Sequence, residues 1–195
     1  RSVDLPVNAD FESGFAADPE GVAQSVRMAI AAGVAGLSIE DRNREKGGAL
    51  YGRQEALARL RAALDAAAGE IVIVARTEIL LDDASQVSAA IDSLVAFAEA
   101  GADCLYAPGV RKPEDIAAMV RAVAPKPVNV LAMDPSVPLA RYAELGVRRV
   151  SIGGALARVA WGAALSAAEG LAKGDFSGLA AAAAGRALNA MFEDG

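Results

Sequence analysis

Two pairs of acids stand where short apolar runs stop. Asp10 and Glu12 follow Val7-Asn8-Ala9, and Glu40 and Asp41 follow Gly36-Leu37-Ser38-Ile39. A bare charge at the end of a buried run costs several kcal/mol unless a cation, a donor or water meets it. Acids on successive strand tips can share one divalent ion. The sequence contains 0 histidines, so Ser-His-Asp or Cys-His catalysis and His-ligated zinc are ruled out. Asp, Glu, Asn and hydroxyl oxygens select a hard cation, Mg²⁺ or Mn²⁺. The proton-transfer groups left are Lys, Asp, Glu, Tyr, Ser and water.

Further candidates stand at the ends of the later apolar runs: Arg76-Thr77-Glu78, Asn129, Ser151 and Gly153-Gly154. Acids, one guanidinium and one amide suit a metal-bound carboxylate or phosphonate, with Arg76 gripping an anionic group bidentately. The two glycines open a helix whose N–H groups could receive an anion. Each residue also has a purely structural use. Arg76 could bridge to Glu78 or Glu40, Glu40-Asp41 could pair with Arg42 and Arg44, Asn129 could cap a turn, and Gly153-Gly154 could be only a tight turn. Lys46, beside Gly47-Gly48, reads equally as a solvated loop lysine.

The elements that position these residues repeat. Ala32-Gly33, Ala100-Gly101 and Leu145-Gly146 each end a helical stretch and lead into a short β-rich run. Glycine there suits the left-handed residue that closes a helix. Six strands are expected near 5–9, 35–39, 71–75, 103–107, 127–131 and 148–152, with Ile71–Ala75 apolar enough to be buried on both faces. Asp18-Pro19-Glu20 and Lys112-Pro113-Glu114-Asp115 open helices, and 54–68, 84–100, 136–145 and 155–173 supply the rest. Alternation of this kind predicts an α/β fold with a parallel sheet. That leaves an open doubly wound sheet, or a (β/α)₈ TIM-barrel type of which this chain carries about six βα units and a C-terminal helical extension. The loops favour the barrel, where the chemistry gathers on the face at the strand ends. Residues 1–173 would be the partial barrel and 174–195 an alanine-rich helix, hinged near Gly174-Asp175-Phe176-Ser177. Period-two geometry would point Asp10 and Glu12 from one face into the barrel mouth.

The 195 residues are 54% hydrophobic, enough for one well-filled core. A net charge of −6 argues against a nucleic-acid or anionic-membrane partner. No apolar run approaches the roughly 18–20 residues of a membrane helix. No secretory leader is read, so a cytoplasmic location is expected. The single cysteine, Cys104, falls in an apolar strand and reads as a buried, inert thiol.

These blocks resemble the isocitrate lyase/phosphoenolpyruvate mutase superfamily. The resemblance rests on Leu5–Phe15, Gly36–Asp41 with Lys46 six residues after Glu40, Ala75-Arg76-Thr77, Ala100–Asp103 and Pro127–Val130, in order over nearly the whole chain. It implies a (β/α)₈ barrel that binds Mg²⁺ (or Mn²⁺) and works on small 2-oxo acids, hydroxy acids or phosphonates through an enolate-like species. It also implies a homo-oligomer, dimer or tetramer, that exchanges a C-terminal helix. Asp10 would be the direct metal ligand, with Glu12 and Glu40 holding metal-bound waters. Arg76 would grip the substrate carboxylate, with Asn129 at its polar end and Ser151 beside it. Loop 41–52 would be a lid on glycine hinges that carries Lys46 into the site. Catalytic roles fall to Lys46, Arg76 and Glu40.

The match begins at the family's third strand, so two leading βα units are expected to lie outside these residues. The Lys-(Lys/Arg)-Cys-Gly-His lid of the true lyases is replaced by Lys46-Gly47-Gly48-Ala49-Leu50, which speaks against isocitrate or 2-methylisocitrate cleavage. The Asn or Thr of the phosphonate enzymes is absent there too. What remains is the metal–enolate core, which suffices for a lyase splitting a C–C (or P–C) bond in oxaloacetate or a phosphonopyruvate. The alternatives are a non-catalytic, truncated barrel that binds small carboxylates, and an unrelated sugar-phosphate barrel enzyme.

Overall fold

The structure is a computed structural model that describes residues 4–44 and 47–192. The chain divides into two compact units: Pro6–Ser151, and a second made of Leu5 with the residues from Ile152 onward.

The first unit is built on a parallel sheet of strands β1 (Asn8–Asp10), β2 (Gly36–Glu40), β5 (Val72–Arg76), β6 (Cys104–Tyr106), β7 (Val128–Leu131) and β8 (Arg149–Ser151). Their spatial order is β1-β2-β5-β6-β7-β8, each strand beside its predecessor. A doubly wound sheet reverses its order at a switch point. This one never does, so it is a curled half-barrel, the architecture of a truncated (β/α)₈ barrel.

Helices α1 (Pro19–Ala31), α2 (Arg53–Ala67), α3 (Ile79–Asp82), α4 (Val87–Glu99), α5 (Pro113–Val123) and α6 (Leu139–Glu144) connect the strands. The Asp18 carboxylate caps α1 by accepting from Gly21 N at 2.8 Å, with Pro19 in the first turn. The three repeat glycines turn left-handed at the helix ends, with φ of +88° at Gly33, +110° at Gly101 and +85° at Gly146. A side chain at those angles would be strained, which explains the repeat.

The main core lies between sheet and helices. Val22, Val26, Leu60, Leu94, Ile116 and Met119 press on Leu37, Ile39, Ile73, Leu105 and Val128. A smaller cluster of Val74, Cys104 and Tyr106, with Leu131 packed against it, fills the concave face. Val72 shares that face by its period-two spacing from Val74, yet it is 48% exposed. The expected burial of this strand on both faces therefore fails at its first residue, because half a barrel covers little of the concave side there.

Two elements were not expected. Strands β3 (Arg42–Asn43) and β4 (Ala49–Leu50) form an antiparallel hairpin after β2. Helix α3 turns immediately after β5. In the second unit, α7 (Ala155–Ala172) carries Leu156, Val159, Trp161 and Leu165 exposed. The tail expected as one helix is instead a 3₁₀ turn, Ser177–Ala181, followed by the short α8 (Gly185–Ala190). Gly174, at φ +80°, starts the break. The 3₁₀ turn then lies so close to α7 that a Cβ on Gly178 would sit 3.0 Å from Ala167 Cα. Among the described residues no helix is long and apolar enough to cross a membrane.

Candidate active site

Register partners in a parallel sheet point their side chains to the same side. Asp10 pairs with Ser38, and Glu40 with Arg76, Arg76 with Tyr106, and Tyr106 with Asn129. All stand at the C-terminal ends of their strands, on the concave face. The sequence-predicted residues thus arrive by strand register.

Arg76 is the hub. Its Nε lies 2.5 Å from Glu78 Oε1 and 3.5 Å from Glu40 Oε2, and its Nη1 lies 3.5 Å from Asp10 Oδ1. Its guanidinium also sits 5.3 Å from the centre of the Tyr106 ring. Both structural uses considered for Arg76, pairing with Glu78 and with Glu40, are present together with its place in the site. The Ser38 hydroxyl donates to Asp10 Oδ1 at 3.3 Å.

Glu12 reaches the site by a different route from the one expected. Strand β1 stops at Asp10, and Glu12 lies in a turn at φ +47°, closed by Gly14 N donating to Phe11 O. That left-handed angle is uncommon for a residue with a side chain. It is held because the Glu12 carbonyl accepts from Glu40 N at 2.8 Å. The turn, not strand periodicity, brings the Glu12 carboxylate to Arg44, whose Nε is 3.3 Å from Glu12 Oε2 and 2.9 Å from Glu40 Oε1.

Glu40 and Asp41 divide their tasks. The Glu40 side chain is 1% exposed, and its Oε2 accepts no hydrogen bond. Burial pushes its carboxyl above the usual range, although Arg44 and Arg76 pull it down. Asp41 pairs with neither arginine considered for it. It accepts from Thr77 Oγ1 at 2.7 Å and Glu78 N at 2.8 Å, and so shapes the turn that presents Glu78. Arg42 reaches Glu78 Oε2 at 3.4 Å and Asp82 Oδ1 at 2.7 Å, and donates to Gly48 O, which ties the β3–β4 hairpin to the loop after β5.

Asn129 is fully buried two strands from Arg76. Its Nδ2 donates to Ser151 Oγ at 3.0 Å, while its Oδ1 has no partner. Lys46 lies outside the described residues. The residues that sequence reasoning missed are Glu78, Tyr106 and Arg44 as members of the site. Glu78 had a signal in its spacing from Arg76, whereas Tyr106 looked like strand filler.

Among the described residues no three acids lie close enough to cage a metal by themselves. Asp10, Glu12 and Glu40 are drawn onto Arg44 and Arg76 instead. The donor chemistry nevertheless fits a hard cation. All the donors are oxygen, Glu40 Oε2 is buried and unpartnered, and the Asp10 side chain is 69% exposed at the mouth. Five carboxylates (Asp10, Glu12, Glu40, Asp41, Glu78) face three guanidiniums (Arg42, Arg44, Arg76), an excess of two negative charges that a divalent cation would balance.

Comparison with known proteins agrees with this geometry. The profile of the family described as phosphoenolpyruvate phosphomutase matches residues 1–172. A solved structure from Burkholderia cenocepacia J2315 superposes with a TM-score of 0.90 at 42% identity, covering 97% of this chain and 70% of that one. Oxaloacetate decarboxylase of Rhodopseudomonas palustris (strain BisB5) is 33% identical over 162 residues, 78% of this chain and 53% of its own. The 2-methylisocitrate lyase of Escherichia coli (strain K12) is 38% identical over 109 residues, 52% of this chain and 36% of its own. The chain spans about half the length, or less, of the curated relatives it matches. A six-stranded half-barrel in sequential order, acids and an arginine on its strand tips, and a profile match over most of its length lead to one assignment: the chain belongs to the phosphoenolpyruvate phosphomutase family of the isocitrate lyase/phosphoenolpyruvate mutase superfamily.

Proposed function

We propose that this chain carries most of the catalytic face of a Mg²⁺- (or Mn²⁺-) dependent lyase that splits a C–C (or P–C) bond in a small 2-oxo acid, with oxaloacetate favoured. One observation carries the reading: Arg76 stands within 3.5 Å of both the Asp10 and the Glu40 carboxylates, on three adjacent strand tips.

Asp10, Glu12 and Glu40 would hold the cation. Bound there, it would supply Lewis acidity to the 2-oxo oxygen, where negative charge collects as the bond breaks. Arg76 would clamp the substrate carboxylate. Glu78 takes its Nε, which fixes the plane of the guanidinium, and an arginine has donors to spare for a bidentate partner. Asn129 and Ser151 would receive the polar end of the substrate, through the unpartnered Asn129 Oδ1 and the Ser151 hydroxyl. In oxaloacetate the electrons of the broken bond move onto the 2-oxo oxygen, carbon dioxide leaves, and the methylene carbon takes a proton from water or from Lys46. The half-buried concave face around Val74, Cys104 and Tyr106 would limit water around the breaking bond.

The missing Lys-(Lys/Arg)-Cys-Gly-His lid supports a substrate that needs no dedicated acid, and similarity to an oxaloacetate decarboxylase supports the same choice. The engagement of Glu12 and Glu40 by Arg44 favours a second reading, a binder of small carboxylates without turnover. Assembly into a dimer or tetramer through the tail and a location in the cytoplasm belong to the same proposal. Pyruvate release from oxaloacetate and from phosphonopyruvate separates the two functional readings. The lyase reading requires release that chelator and Asp10→Ala both abolish. Oxalate or pyruvate binding with no product formed would select the binder.

A further inference from the structure

We infer that Arg44 is the site's built-in counter-ion, competing with the divalent cation for Glu12 and Glu40 and thereby setting how tightly the site holds metal. The inference rests on the proposal that Asp10, Glu12 and Glu40 bind that cation.

Arg44 Nε lies 2.9 Å from Glu40 Oε1 and 3.3 Å from Glu12 Oε2, so one guanidinium spans two of the three carboxylates assigned to the metal. The Glu40 side chain is 1% exposed and its Oε2 has no hydrogen bond. A second cation entering there meets a buried carboxylate whose other oxygen already neutralises an arginine. Charges that share such a carboxylate repel each other more strongly than they would in water. Arg44 itself is 46% exposed. It leaves β3 just after Asn43, in the connection that returns to β4 past Gly47 and Gly48. Those two glycines have φ of +74° and +80°, and nothing lies within 4 Å of where a Cβ would stand. The side chain can therefore leave the carboxylates without disturbing the core. Coupling between two ligands of one site is reciprocal, so metal weakens the hold of Arg44 as much as Arg44 weakens metal.

The test is a titration of the purified chain with Mn²⁺, followed by calorimetry or by loss of the free-ion paramagnetic signal, on the parent, Arg44→Gln and Arg44→Lys. Arg44→Gln should bind Mn²⁺ roughly tenfold more tightly, as expected for removing one neighbouring positive charge at reduced dielectric. Arg44→Lys, which keeps the charge, should stay near the parent. Without metal, Arg44→Gln should melt below the parent, because Glu12 and Glu40 then face each other unneutralised. At saturating Mg²⁺ the gap should close or reverse. Equal affinity in the parent and Arg44→Gln, or a melting gap that metal leaves unchanged, overturns the role of Arg44 and leaves the metal site standing. No Mn²⁺ binding by any of the three removes the metal site and this inference with it.

Discussion

Glu40 and Arg76 are register partners across β2 and β5, and Arg76 Nε lies 3.5 Å from Glu40 Oε2 while Glu78 Oε1 takes the same nitrogen at 2.5 Å. A guanidinium held by Glu78 from one side presents the rest of its edge to Asp10 and the open mouth. The pair is thus both a structural joint and the place where a substrate anion would dock.

Arg76→Lys tests that double role. Lysine keeps the charge and loses the planar fork. The variant should fold, with stability lowered by about 1–3 kcal/mol because the buried Glu78 loses a charge-assisted hydrogen bond. Activity on oxaloacetate should fall about a hundredfold, the order expected when a positioned clamp is lost. Urea unfolding and steady-state kinetics read the two effects separately, and undiminished activity would take Arg76 out of the site.

Arg59 on α2 is 1% exposed and donates to the carbonyls of Ser13, Ala16 and Ala17, with its guanidinium 4.4 Å from the centre of the Tyr51 ring. It fastens the loop that follows Glu12. Arg59→Met should cost about 3 kcal/mol or more, since several buried carbonyls lose a charged donor at once. A loss below about 1 kcal/mol in urea unfolding would show that water replaces those bonds.

Cys104 and Tyr106 carry a pH dependence with a definite sign. Burial raises the Cys104 thiol above its ordinary value of 9.0 and the Tyr106 hydroxyl above 10.0. The folded state therefore keeps protons that the unfolded chain gives up. That contribution is fully present below pH 9, and stability falls as pH climbs through 9 and then 10. Cys104→Ala should flatten the first part of that fall. At pH 8 iodoacetamide should alkylate Cys104 only when the protein is unfolded. Rapid labelling of the native chain would contradict its burial.

Much of this molecule was legible before any coordinates. The strand positions came from apolar runs ended by acids, and each lies within about one residue of the expected span. Gly33, Gly101 and Gly146 marked helix ends because only a residue without a side chain takes those angles easily. The route of Glu12 was not legible. An i, i+2 spacing signals a shared face only where the strand continues, and here it stops at Asp10. Arg59 was invisible for another reason: its partners are main-chain carbonyls, which carry no residue type to read. Arg44 was seen as a neighbour of Glu40, but its bond to Glu12 depends on two loops meeting. The tail misled because alanine content reports helix propensity, while Gly174 and the close packing of Gly178 on Ala167 decide where the helix breaks.

The central claim is that carboxylates from neighbouring strand tips hold one hard cation. Equilibrium Mn²⁺ binding to the parent and to Asp10→Ala addresses it most directly, since Asp10 is exposed and its loss should leave the fold intact. The account predicts one equivalent bound by the parent, with binding at least about a hundredfold weaker in Asp10→Ala. A parent that binds no Mn²⁺, or an Asp10→Ala that binds it just as well, would contradict it.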